Sequence, residues 1–565
     1  RFEDWCVDFV DDMSFMFAGV PKHHGLNASA WNVSAVTKFS FCFYNYDFAD
    51  NVFDISKWDV SSGIYFHGMF SKAKRVKSDL SKWDVSSGIA FNSMFQSSSF
   101  ISDISLWDIS SANNLNGMFA HTTFDPDLSQ WDVSSVTDFS EIFQGATLKS
   151  NISQWDVSSG TDFSGMFRGA SFSSSISHWD VSSGTDFNGM FQDATFNSDI
   201  SQWDVSSGTD FSQMFQGATF NSDISHWDVS SGTDFSRMFN DAYRFNADIS
   251  NWDVSSGTDF GHMFAWAESF NGNISHWDVS SGTDFSGLFQ GAVIFNADLS
   301  QWDVSLGTDF SYLFSGAKLF NADLSQWDVS SGARFSYMFN GAELFNSDLS
   351  QWDVSSVTDF SGMFRGATFS SDISQWDVSS GADFSGMFHE ATFNSNISQW
   401  DVSSATDFSG MFSSVTFNND ISQWDVSSGN DFSGMFQGSL FNSNISTWVV
   451  SSGTDFSRMF SDAELFNSDL SLWDVSSGTD FSHMFSDADS FNTDISLWDV
   501  SSGTDFSGMF QDATYNTDIG DAAFNSNISQ WDVSSGTDFS RMFAGAEFFN
   551  SDLSQWDVSS GIDFS

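Results

Sequence analysis

A Trp-Asp pair recurs through this chain every 24 or 25 residues, and its aspartate is the residue type with the most chemistry to offer. Asp156, Asp180, Asp204, Asp228, Asp253, Asp278, Asp303, Asp328, Asp353 and Asp377 all hold this position. Asp follows the repeat Trp in 20 of 23 units, the exceptions being Cys6, Asn32 and Val449. If successive units stack in register, the carboxylates form an exposed row. Two like charges about 5 Å apart in water repel by roughly 0.8 kcal/mol before screening. Two arrangements would relieve that repulsion. Ca²⁺, which takes oxygens at about 2.4 Å, could bridge neighbouring carboxylates, with the Asp204/Asp228/Asp253 stretch as the candidate site. Salt, Ser hydroxyls and backbone N–H groups would serve as well. No D-x-D-x-D-G loop or G-G-x-G-x-D repeat supplies a dedicated calcium motif.

Other columns flank this one. The residue before Trp is often Gln, as at Gln202, Gln301, Gln326 and Gln351, where stacked amides could bond from unit to unit or present a flat binding surface. A second acidic column (Asp199, Asp223, Asp248) suits turns that use local backbone N–H groups. A third (Asp162, Asp186) suits the start of a helix. His178, His226 and His276 lie two residues from Asp180, Asp228 and Asp278 with Ser nearby, but there is no G-x-S-x-G elbow, and no catalytic site is expected. Asn27, Asn32, Asn151, Asn273, Asn396, Asn444 and Asn527 begin N-x-S sequons, acceptors for glycans if the chain is exported.

The elements that would position these columns come from the repeat itself. The 23 repeat tryptophans run from Trp5 to Trp556, and only Trp266 falls outside the series. Such a period marks stacked coils, none of which can bury its apolar face alone. Around Trp203, alternation across Trp203, Asp204 and Val205 predicts a short strand with Asp outward. Ser206 to Thr209 then turn the chain, and Phe211, Met214, Phe215 and Ala218 at i, i+3, i+4 and i+7 predict a two-turn helix. Strands of successive coils should pair in parallel, with aromatic ladders in the core. Residues 1–50 read as divergent first repeats or an N-terminal cap. Residues 51–565 read as regular repeats with a loop insertion near 515–523, where the Trp interval widens to 33 residues.

Composition bounds the function. The balance of 18 Lys and Arg to 74 Asp and Glu, a net charge of -56, argues against nucleic acid and anionic membrane surfaces. No apolar run approaches the roughly 18 residues of a membrane span. Aromatic residues make up 18% of the chain, ample for a packed core. Cys6 and Cys42 fall at different repeat positions, so a bridge between them would need distorted coils. The chain begins at Arg1 and stops within a unit at Ser565, which reads as a stretch of a longer protein.

The unit Asp372-Ile-Ser-Gln-Trp-Asp-Val-Ser-Ser-Gly-Ala-Asp-Phe-Ser-Gly-Met-Phe388 resembles BspA-type leucine-rich-repeat surface proteins, of which bacterial, mycoplasmal and microalgal versions carry this Trp-Asp-Val-Ser and Met-Phe pattern. Two features depart from it: Phe163 and its equivalents stand where Met is expected, and Gly160 and its equivalents replace an apolar turn residue, which suggests a looser turn. The resemblance implies an extracellular, adhesive or matrix-forming protein with no catalytic residues. The resulting expectation is an α/β, leucine-rich-repeat-like solenoid of about 23 coils of 24–25 residues, each a short parallel strand plus a short helix. Its expected role is structural, in a cell-surface filament, sheath or matrix, with self-assembly or other surface proteins as partners, glycans as further partners, and no cofactor unless Ca²⁺ binds. The alternative is an adhesin that uses the Asp/Gln/Ser face, with or without calcium. Mineral or ice binding ranks third.

Overall fold

The computed structural model describes residues 7–20, 28–48, 54–123, 125–196, 198–513 and 524–565. The insertion near 515–523, Cys6 and Asn27 therefore lie outside the described residues. The chain forms two compact units, Arg1–Ser281 and Gly282–Ser565. Within each, successive repeats stack as coils held together by parallel backbone bridges such as Asp186↔Asp210 in the first and Asp383↔Asp407 in the second.

The expected helices are absent among the described residues. The only strands there are two of two residues each, β1 (Thr147–Leu148) and β2 (Ser171–Phe172), which pair in parallel. The α/β assignment is therefore wrong: each coil is built almost wholly from turns, and the reason lies in where the backbone N–H groups go.

In the coil of Trp203, the N–H groups of Phe211, Gln213, Phe215 and Gly217 leave the coil and donate to the carbonyls of Asp234, Ser236, Met238 and Asn240, at 2.8–2.9 Å. Those between them stay local. Met214, Gln216 and Ala218 donate three residues back, to Phe211, Gln213 and Phe215, and Ser212 donates to the Asp210 carboxylate. Every N–H from Phe211 to Ala218 thus has an acceptor. A two-turn helix would strand its first four N–H groups and last four carbonyls, and is too short to repay nucleation. The ribbon of consecutive turns needs a positive φ every fourth residue, found at Gln213 (58°) and Gly217 (65°). At these two columns the sequence places glycine more often than elsewhere in the ribbon, as in Gly165 and Gly169 or Gly362 and Gly366, a choice that favours turns and disfavours helix. The i, i+3, i+4, i+7 stripe is nonetheless buried, because Phe211, Met214, Phe215 and Ala218 all face the core.

The strand expected at Trp203-Asp204-Val205 is also not formed. Trp203 and Val205 are buried and Asp204 is exposed, as the alternation requires, but the segment sits between two tight turns closed by Trp203 N–H on Ile200 O and Gly208 N–H on Val205 O. Parallel pairing occurs instead at Asp210, six residues on. What joins coils at the Trp is its side chain: the Trp203 indole N–H donates to Ile176 O of the preceding coil at 3.0 Å, and Trp227 repeats this with Ile200 O. A buried indole N–H must find an acceptor, so the bond also fixes the register.

Four ring columns fill the core. Trp227 and Trp252 lie parallel within 1° at 6.4 Å between centroids, and Phe187/Phe211 and Phe191/Phe215 stack at 5.7 Å. Phe220 closes the ring set of its coil, 4.2 Å from Phe215. Gly160 is buried under its own ring, not loose: a Cβ there would fall 2.5 Å from Phe163 Cζ and 3.0 Å from Val157 O. In the Gly coils the ring occupies the volume that a turn side chain would need, although Val136 with Phe139 and Ala405 with Phe408 show that an apolar turn residue and the ring can also be buried together. Val357 shows the complement. It occupies the Gly position, and the preceding ring, Phe335, stands at 89° to Phe310 where the neighbouring pair Phe285/Phe310 lies at 11°.

Candidate binding face

The candidate residues occupy one exposed strip of each coil. Asp156, Asp180, Asp204, Asp228, Asp253 and Asp278 belong to the first unit, and Asp303, Asp328, Asp353 and Asp377 to the second; all are exposed. Each is locked by its own coil. Asp204 Oδ1 accepts the Ser206 backbone N–H at 3.0 Å and the Ser206 hydroxyl at 2.6 Å. Asp328 does the same with Ser330, at 3.0 and 2.6 Å. An Asp two residues before Ser closes an Asx-turn, which serves the N–H that the bend exposes.

All three acidic columns follow this Asp-x-Ser rule: Asp199 accepts from Ser201, Asp204 from Ser206 and Asp210 from Ser212. For the first two columns this matches the expected relief by Ser hydroxyls and backbone N–H groups, and the Asp-x-Ser spacing that unites all three is plain in the sequence. It also overturns the expected role of the third column, which caps a bend of the turn ribbon, there being no helix to start among the described residues.

The electrostatic consequences differ between columns. On the exposed row, the hydroxyl and then the N–H of the following Ser hold Asp180, Asp253, Asp328 and Asp353 below the ordinary carboxylate range. For Asp328 the neighbouring charge of Asp353 opposes this as the weakest contribution. Like-charge repulsion along the row is thus outweighed by local hydrogen bonds. In the third column, burial pushes the half-buried Asp186 up, with Asp162 and Asp210 adding to the rise and the Asn188 N–H opposing it.

The amides also turn inward to their own coils. Gln202, Gln301, Gln326 and Gln351 donate Nε2 to the hydroxyl of the preceding Ser at 3.2–3.3 Å, so the expected coil-to-coil amide ladder does not form there. Such ladders exist elsewhere. Gln192 donates to Gln216 at 3.0 Å and Gln216 to Asn240 at 2.9 Å on the turn ribbon. The Asn after the return-loop Phe is a second: Asn221 Oδ1 accepts the Asn246 N–H, and Asn321 Oδ1 the Asn346 N–H, both at 2.8 Å. The recurring Phe-Asn dipeptide was its sequence signal.

His178, His226 and His276 are exposed, and Ser182 gives its hydroxyl to Asp180. Among the sequons, Asn32, Asn151, Asn273, Asn396, Asn444 and Asn527 are exposed and use Oδ1 to accept the N–H of the sequon Ser. This leaves the amide nitrogen, the atom a glycan would join, outside that bond. Cys42 is a free, fully buried thiol, and burial pushes its pKa up. Among the described residues no group of three or more His, Cys, Asp or Glu is placed to hold a metal ion, and no helix is long and apolar enough to cross a membrane. For Asp204, Asp228 and Asp253, any bridging ion would have to use the second carboxylate oxygens of adjacent coils.

No curated protein matches the chain. Among solved structures, a plant peptide hormone receptor, RGFR1 in complex with RGF2, is 10% identical over 80% of each chain with a TM-score of 0.18, a likeness too low to carry an argument. The family model described as "Mycoplasma protein of unknown function, DUF285" matches in overlapping tandem over residues 11–124, 113–219, 171–275, 195–298, 267–370, 347–440, 415–521 and 519–565. With nearly its whole length covered, this repeat protein belongs to that family.

Proposed function

We propose that the chain is a non-catalytic, extracellular structural protein of BspA-like character that builds or decorates a cell-surface filament, sheath or matrix. The observation that carries this reading is the sameness of the exposed aspartate column of the Trp-Asp-Val-Ser strip, where the Asx-turn to the Ser two residues on recurs from coil to coil, as in Asp204 with Ser206 and Asp328 with Ser330. A lattice contact needs equivalent positions, whereas a surface selecting one partner varies its exposed residues. Its partners on this reading are copies of itself or other matrix proteins, with glycans on the exposed sequons. Electron microscopy of native material tests it: periodic filaments or sheets labelled by an antibody to the chain are expected, and isolated monodisperse particles would count against it.

The adhesin alternative draws support from a different surface, the turn ribbon, whose exposed residues do vary from coil to coil. Calcium enters either version as a bridge between second carboxylate oxygens. Melting the chain in excess Ca²⁺ and then in chelator checks this. An unchanged midpoint would remove calcium from both.

A further inference from the structure

The turn ribbon of the second unit carries a trough of about 410 Å³, whose walls include Tyr337, Arg365, His389, Gln437 and Arg458. It exists because four successive coils place glycine, Gly362, Gly386, Gly410 and Gly434, at a positive-φ position that Tyr337 holds on one side and Arg458 on the other. Five coil steps at roughly 4.8 Å give it a length of about 24 Å. Backbone conformation does not demand all four glycines, since Gln213 and Arg237 take the same φ. Crowding demands glycine only at Gly362, which the Tyr337 ring covers, and not at the other three. A Cβ on Gly410 would meet no heavy atom within 4 Å, and one on Gly386 only His389 Cβ at 3.8 Å.

The walls are unusual for so acidic a chain. Arg365 and Arg458 are exposed, and neither has a carboxylate within ion-pair distance among the described residues, whereas Arg334 pairs with Asp309 at 3.0 Å and Lys318 with Glu343 at 2.8 Å. His389 is half-buried, with Glu390 at 3.7 Å; burial and then the Arg365 charge lower its pKa, so its imidazole is neutral at pH 7 and can both donate and accept. The Ser385, Ser409 and Ser433 hydroxyls line the floor, and these residues meet their Asp through backbone N–H, where Ser361 also donates its hydroxyl to Asp359. At the closed end, the Tyr337 ring stacks on Tyr312 at 5.1 Å and its edge lies over Gly362.

We propose that this trough binds a linear anionic oligosaccharide, its acidic groups on Arg365 and Arg458, its hydroxyls on the Ser floor, His389 and Gln437, and an apolar sugar face on Tyr337. Guanidinium groups suit carboxylate and sulfate alike. An acidic peptide fits less well. The N–H groups of Gly386, Gly410 and Gly434 are already spent on Ser409, Ser433 and Ser457 of the next coils, so no open edge remains for strand addition.

The test is calorimetric titration of the full chain with oligogalacturonate, sulfated dextran, uncharged dextran and polyglutamate. Expected is salt-sensitive binding of one or both anionic sugars, the pair distinguishing carboxylate from sulfate, and none of the other two. Gly410→Gln should weaken binding roughly tenfold or more by filling the trough, with an unchanged melting midpoint because Gln213 shows the residue is accommodated. Arg365→Gln and Arg458→Gln should each weaken it by about tenfold and flatten its salt dependence. Binding of neither anionic sugar, equal binding of uncharged dextran, tighter binding of polyglutamate, or indifference to Gly410→Gln would overturn the proposal. It stands apart from the assembly reading, since filaments could form with the trough empty.

Discussion

The Trp-Asp-Val-Ser strip and the turn ribbon share one core and treat their outward positions in opposite ways. On the strip, the carboxylate is tied down within the coil and recurs, while the position before Trp is Gln in 11 of 23 units and otherwise varies, as at Lys57, Leu106, His178 and Thr447. On the ribbon, the backbone does the tying, through N–H groups that alternate between turn and neighbouring coil, so the side chain at the positive-φ column is left free to change. It is Gln213, Arg237, Tyr337, Gly410 and Arg458 in different coils. Past Lys149, every Lys and Arg lies off the strip. A repeat protein can thus hold one surface constant for assembly and vary another for recognition, provided the varied surface is not what keeps the coils together.

Removing the core that both surfaces share should have the largest effect. Trp327→Ala deletes a buried indole stacked at 6.5 Å on Trp302 and Trp352 and its bond to Leu299 O, and should cost about 3–5 kcal/mol in denaturant unfolding. Gly208→Ala is next, because its Cβ would fall 2.5 Å from Phe211 Cζ. A loss of about 1–3 kcal/mol is expected, and Phe211→Met in the same chain should recover part of it. Additive losses would break the idea that the ring occupies the volume a turn side chain would need.

Smaller effects separate the strip from the ribbon. Asp328→Ala should cost about 1 kcal/mol by unmaking its Asx-turn, while Asp328→Asn should cost less, since Asn32 closes the same turn with Ser34 at 3.2 Å. Acid should act through the strip. The folded pKa of Asp180, Asp253, Asp328 and Asp353 lies below the unfolded value of about 3.9, so their stabilisation is present above that value and lost as pH falls through the folded one. Asp186 has the opposite sign: raised in the folded state, it favours folding as pH falls and opposes it above its folded pKa. The melting midpoint should therefore drop below about pH 4, and Asp186→Asn should raise it slightly at pH 7.

Much of this was legible in the sequence at the level of columns. Trp203, Val205, Phe211, Met214, Phe215 and Ala218 are all buried as their spacing requires, and Asp204 is exposed. The elements were misread because spacing records which side chains point inward and not where N–H groups go. Two consecutive turns bury the same stripe as two turns of helix. The distinguishing mark was glycine at fourth-residue intervals, as in Gly165 and Gly169, each with positive φ. Strand alternation at Trp203 was real but marked a segment between turns, with pairing displaced to Asp210. The acidic row and its relief by the hydroxyl and N–H of the following Ser were both legible, as Asp204 with Ser206 shows. The trough was invisible to a reading of single repeats, because it depends on four coils in succession lacking a side chain.

Carboxyl labelling of the native material, with dispersed chain as reference, tests the division of labour most directly. If the strip assembles, Asp204, Asp328 and their equivalents should be protected in the native state, while Glu390, on the ribbon beside the trough, labels equally in both. Protection confined to the ribbon, or equal labelling of the strip in both states, would contradict it.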